Sequence, residues 1–239
     1  VGGTWRQAWL IVGRELKIDR YYLSGSLVFI LYMGFFGGIT LGEIAEDKRM
    51  LLLVDLIFWI IASMVGFYFS RRITKYITED SYTHMLAHYR TLPIATEVLV
   101  VARYMQLLMA TLCNGVLLFG LMYAVSSGIR EQMTLGEYAA FALTWTAFGV
   151  TLNCFYIMME FLLRGKGYFW YSLVLMLVLE LAILSLHLSG VSVVQSSIEI
   201  SARLGGASPA MWIMLALGAV SAYVSYRFIV RRLPLRDLA

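Results

Sequence analysis

The sequence predicts an all-α, polytopic membrane protein with six transmembrane helices, and three observations predict it. Of the 239 residues, 60% are hydrophobic and only 14% are charged, whereas a soluble domain carries about 25% charged residues. The apolar residues gather in six runs, each close to the roughly 20 residues that a helix needs to cross a bilayer core. They are residues 22–41, 50–69, 104–124, 139–163, 169–188 and 209–229. The basic residues, finally, fall on alternate loops. Arg6, Arg14, Lys17, Arg20, Arg71, Arg72, Lys75, Arg90, Arg103, Arg164, Lys166, Arg227, Arg231, Arg232 and Arg236 share one side, leaving Lys48, Arg49, Arg130 and Arg203 on the other. The positive-inside rule makes the richer side cytoplasmic and places both termini there, as an even number of spans requires. The net charge of +4 follows from this topology and suits anionic lipid, not nucleic acid. No signal-peptide pattern opens the chain, and its halves show no repeat, so residues 1–239 read as one membrane domain.

Residues 4–20 precede the first span. Trp5, Ala8, Trp9, Val12 and Leu16 form one helical face, with arginines largely elsewhere, which predicts a helix lying in the inner interface. The first span carries Gly34 and Gly38, and the sixth Gly218 and Ala222. This small-xxx-small spacing lets helix backbones approach closely, within one chain or across a homodimer seam. Span two contains Asp55, roughly 8 Å below its outer end, and span five Glu180, roughly 12 Å below its own, at 1.5 Å per residue. An acid inside the membrane faces a cavity or a partner by default. These two are the candidates for a translocation path; hydrogen bonding to a neighbouring span is the structural alternative. Glu160 is expected to pair with Arg164 one turn on, and Asn114 and Asn153 to join helices. Cys113 and Cys154 lie within spans and read as packing residues. Residues 189–209, moderately apolar and ending in Gly-Gly and Pro, can dip back into the membrane where protein covers them.

No GxxxxGK[ST] phosphate loop occurs, so ATP, if used, is bound by another chain. HExxH, CxxC and GxSxG are absent as well. His84 and His88 stand at i, i+4 but lack a third metal ligand nearby. They belong to the most informative loop, DSYTHMLAHYRTLPI, residues 80–94. Tyr82, Met85, Leu86 and Tyr89 fall at i, i+3, i+4 and i+7 there, the stripe of a short amphipathic helix. Asp80 or Ser81 can cap it, and Pro93 forces Leu92 to be extended and ends it.

With Leu92-Pro93-Ile94 and, ten residues on, Ala102-Arg103-Tyr104, the chain resembles the membrane subunit of ABC transporters of the ABC-2 type, the type V exporter fold. The resemblance implies an interfacial N-terminal helix and a cytoplasmic coupling helix between spans two and three. It implies a re-entrant external segment at residues 189–209. Tyr82, His84, Met85, Leu86, His88, Tyr89 and Arg90 would dock into a separate ATPase subunit, with the Arg164–Lys166 turn a lesser contact. Two permease chains, taken as identical, would meet along spans one and five and bind two ATPases. Spans two and five, which carry Asp55 and Glu180, would lie near the path. The chain itself would bind no cofactor and catalyse no reaction, ATP and magnesium belonging to the partner. It would export an amphipathic or hydrophobic substrate, peptides included, across a bacterial-type cytoplasmic membrane. The competing expectation is an ion- or proton-coupled secondary transporter using Asp55 and Glu180. That class shows Gly- or Pro-broken spans at matching positions of two halves, and no such pair is legible.

Overall fold

The computed structural model describes residues 2–43, 50–70 and 76–237. Lys48, Arg49, Arg71, Arg72 and Lys75, used above to orient the chain, lie outside them. In chain order the described α-helices are α1 (Gly2–Ile18), α2 (Arg20–Glu43), α3 (Leu51–Ser63), α4 (Ser81–Arg90), α5 (Thr96–Val125), α6 (Ser127–Gln132), α7 (Leu135–Leu162), α8 (Gly165–Leu188), α9 (Val193–Leu204) and α10 (Pro209–Arg232). No strand occurs among the described residues. Five helices, α2, α5, α7, α8 and α10, are long and apolar enough to cross a membrane. Their outer faces carry large exposed side chains, such as Leu108, Leu112 and Val116 on α5 and Trp212 and Val220 on α10. So extensive an apolar surface does not suit water, and the protein is a multi-pass membrane protein.

The run at 50–69 folds differently from the other five. Helix α3 has 13 residues, about 20 Å at the helical rise, against a bilayer core of about 30 Å. A 3₁₀ turn, Met64–Gly66, follows, and Phe67 is extended. Backbone that leaves a helix inside an apolar bundle needs new partners. Asn114 of α5 supplies them by donating to the carbonyls of Val65 (3.1 Å) and Phe67 (2.7 Å). Asn153 of α7 donates to the carbonyl of Ser63 (2.8 Å).

Small residues set the helix spacing. A Cβ on Gly34 would stand 3.1 Å from the carbonyl oxygen of Leu118, and one on Gly38 would stand 3.0 Å from that of Met122. The first small-residue pair therefore seats α2 on α5 within the chain. Gly218 likewise brings α10 onto α7, next to the carbonyl of Ala147. The main core gathers around Phe58 of α3, whose ring lies 4.7 Å from Trp145 and 5.6 Å from Phe141 of α7. Helix α1 splits its expected apolar face. Ala8 and Val12 are fully buried against Val98 and Ala102 of α5, while Trp5 and Trp9 are exposed.

Candidate functional site: a clamped helix at one end of the bundle

The short helix expected near residue 80 exists as α4, and three sets of contacts hold it. Glu15 of α1 accepts from the hydroxyl of Tyr89 (2.9 Å) and from Nε2 of Gln106 on α5 (2.6 Å), which joins three elements through one carboxylate. Arg90 donates to the carbonyls of Leu233 and Arg236, both at 2.7 Å. Arg236 in turn donates to the Thr83 hydroxyl on α4 (2.6 Å) and to the carbonyls of Phe161 (2.6 Å) and Leu163 (2.9 Å) at the end of α7. Two arginines thus strap α4 to the chain that follows α10. Last, the Tyr82 ring packs on Tyr76 and Tyr168, with centroids 5.9 and 5.4 Å away.

Asp80 occupies the cap position of α4 in the left-handed region (φ 46°), but its side chain does not cap that helix. Its Oδ1 accepts instead from the backbone N–H of Gly165, the first residue of α8, at 2.8 Å. Asp tolerates this backbone region better than most residues. A carboxylate at a helix N-terminus is also favourable, so one residue turns the chain into α4 and closes α8.

The stripe read from the sequence does not face outward as a whole. Tyr82 and Leu86 are buried, Leu86 in the cluster of Val100, Phe161 and Leu233. They hold α4 down and offer nothing to a partner. Arg90 is committed to the tail carbonyls. What the helix presents is the other side. His84 and His88 are exposed. With Met85 and Tyr89 they line a groove of about 530 Å³ against Arg14 and Ile18 of α1. Of the seven expected docking residues, these four share one accessible surface. Burial, reinforced by the negative charge of Glu160, pushes the Tyr82 hydroxyl well above its usual value.

The two intramembrane acids are not brought together. Asp55 is 1% exposed. Its Oδ1 accepts from the Ser192 hydroxyl (3.0 Å) and the Val194 N–H (2.9 Å), which completes the first turn of α9. Its Oδ2 lies 3.6 Å from Nδ1 of His187 on α8. Oδ1 of Asp55 thus anchors α9, while its buried Oδ2 makes no hydrogen bond among the described residues. Glu180 is half-buried on α8, and no hydrogen bond or ion pair joins it to Asp55. Glu160, expected to pair with Arg164, is bound by Nε of Arg103 on α5 at 2.9 Å. Sequence reasoning gave Glu15 no role and used Arg236 only to orient the chain. Among the described residues, no three His, Cys, Asp or Glu side chains converge to hold a metal.

No protein-family model matches the chain, and no curated protein matches it.

Proposed function

We propose that the chain is the permease subunit of an ATP-driven exporter of the ABC-2 type, moving an amphipathic or hydrophobic substrate, such as a peptide, out of the cytoplasm. The observation that carries this reading is α4. It is a short polar helix outside the apolar bundle, fixed to α1, α5 and α7 and to the segment after α10, and it presents His84, Met85, His88 and Tyr89 beside a groove. A helix held so firmly can pass a push to the bundle; a loosely tethered one could not. On this reading α4 is the coupling helix and α3, with its 3₁₀ extension, is the sixth span. Helix α1 lies in the inner interface, where Trp5 and Trp9 suit the headgroup level. Helix α9 is the re-entrant external segment. In support, the indole N–H of Trp145 donates to Ser197 of α9 at 3.0 Å, and Trp145 lies about 15 Å along α7 from its start by the helical rise.

The remaining parts follow from that role. Two cytoplasmic ATPase subunits bind ATP and magnesium, a second permease completes the pathway, and both termini lie on the cytoplasmic side of a bacterial-type cytoplasmic membrane. A secondary transporter draws support from one feature, the break after α3, since such carriers use interrupted helices. It needs Asp55 able to take an ion, and one oxygen of Asp55 is already engaged by Ser192 and Val194, the other lying 3.6 Å from His187 without a hydrogen bond.

Purification of the tagged chain from its native membrane in mild detergent separates the two. A stoichiometric companion with a phosphate-binding loop, and ATP hydrolysis that His84→Glu/His88→Glu uncouples, is the expected result. Transport by the chain alone, driven by an ion gradient without ATP, would overturn the proposal.

A further inference from the structure

A cavity of about 300 Å³ lies between the break after α3 and helix α4, walled by α5, α7 and α8. That is the low end of the range for small-molecule sites. Tyr76 and Tyr82 contribute from one end, Tyr156 from α7, and Tyr168, Ser172 and Met176 from successive turns of α8. Four tyrosines, Tyr76, Tyr82, Tyr156 and Tyr168, therefore bring phenol rings and hydroxyls to its lining. In the wall, Nη1 of Arg103 and the hydroxyl of Ser172 are buried and lack a hydrogen-bond partner among the described residues. A buried polar group without a partner is uncommon and asks for a bound molecule.

The charges decide what kind of molecule. Arg103 and Glu160 already neutralise each other at 2.9 Å. An anionic ligand would leave a surplus negative charge out of water, and a cationic one would meet the guanidinium, which already lies over the Tyr68 ring at 5.6 Å. Either surplus is costly. Burial raises the Tyr76 and Tyr82 hydroxyls above their ordinary value, so both remain donors. The aromatic walls accept an apolar or aromatic body, while the hydroxyls call for an acceptor oxygen.

We infer that this cavity binds an uncharged amphiphile of the acylated-amide class, whose carbonyl oxygens take the tyrosine hydroxyls while its apolar body fills the aromatic walls. The inference takes from the proposed function only the membrane location, and holds whether or not an ATPase drives the chain.

Three probes of one shape test it by titration calorimetry on the purified full chain without nucleotide, against detergent blanks. They are N-hexanoyl-phenylalanine amide, which is neutral, its free-acid analogue, and the ammonium analogue in which hexylamine nitrogen replaces the acyl amide. The neutral probe is expected to bind at least about tenfold more tightly than either charged one, a preference set by the burial of unpaired charge. Tyr156→Phe keeps the ring and removes one hydroxyl, and should weaken the neutral probe about threefold to tenfold, the usual worth of one hydrogen bond. Met176→Trp fills the space and should abolish binding. Equal affinity for all three probes, a preference for a charged one, or binding that survives both Met176→Trp and Tyr156→Phe unchanged would overturn the inference. Failure to find an ATPase partner would leave these results untouched.

Discussion

Asn153 shows how much one side chain carries in this bundle. Its amide holds the carbonyl of Ser63 where α3 ends, and both residues are buried. Asn153→Ala should cost about 1–3 kcal/mol, the penalty for a buried acceptor left alone, read as a lower unfolding temperature in detergent. Asp55 separates shape from charge. Asp55→Asn keeps an oxygen to accept from Ser192 and Val194 and should melt close to the parent, whereas Asp55→Ala should lose about 1–3 kcal/mol by the same reasoning. If Asp55→Asn folds normally but abolishes transport, the charge itself works in the path; if transport persists, Asp55 only anchors α9. Tyr82 sets an alkaline limit. Its folded value is raised, so the unfolded chain loses this proton first, near the ordinary value of about 10. Its contribution is complete below that pH and falls away above it. Tyr82→Phe should therefore flatten the loss of stability above pH 10 in alkaline unfolding curves. The sequence made Asp55 and both asparagines visible because a polar residue inside an apolar run stands out. Glu15 was legible in principle. It continues the stripe of Ala8 and Val12 at the next helical spacing, so an acid on a buried face announced a partner. Arg236 gave no such signal, because its bonds run to carbonyls, which no sequence pattern marks.

At the scale of elements, α4 is the part most open to test. Arg236→Ala removes bonds to Thr83, Phe161 and Leu163 at once. It should raise amide exchange across α4 at least about tenfold, since local opening governs exchange, while α7 and α10 stay protected. Unchanged exchange in α4 would sink the strap assignment. The helix itself was readable from its periodicity and from Pro93. Its orientation was not, because an amphipathic stripe says that two faces differ and not which one meets protein. Beside an apolar bundle, Tyr82 and Leu86 gain more by packing inward than by waiting for a partner, and the histidines were left outside. Span two was overestimated for a related reason. Residues 64–69 are as apolar as a helix requires, but Asn114 offers the carbonyls of Val65 and Phe67, and Asn153 that of Ser63, an alternative that hydropathy cannot register.

For the whole molecule, five of the six apolar runs became long helices because composition and length alone dictate that outcome in a bilayer. The small-residue pairs pointed correctly to close packing but left the neighbour open, and both proved to lie inside the chain. Gly34 and Gly38 are therefore not available to a second copy. Helix α8 is different: its apolar stretch has no fully buried residue, so its outer face, which carries Leu177, meets lipid or another subunit. Cysteine cross-linking through Leu177 of α8, in a background without Cys113 and Cys154, should trap a dimer if a second copy of the chain meets this face. Monomer alone at every oxidant level would remove α8 from the seam.

The break after α3 also bears on how the chain is made. The segment is short, carries an acid near its beginning, and finishes on carbonyls whose donors reside in α5 and α7, which leave the ribosome later. During synthesis α3 therefore emerges before the asparagines that hold its end, and we expect it to be held less firmly until Asn153 is exposed. Arrested chains in which Asn153 has not yet left the ribosome should show α3 more open to amide exchange than chains in which it has. Biogenesis of this protein is then a matter of timing as much as of hydropathy, with its second segment completed only by later ones.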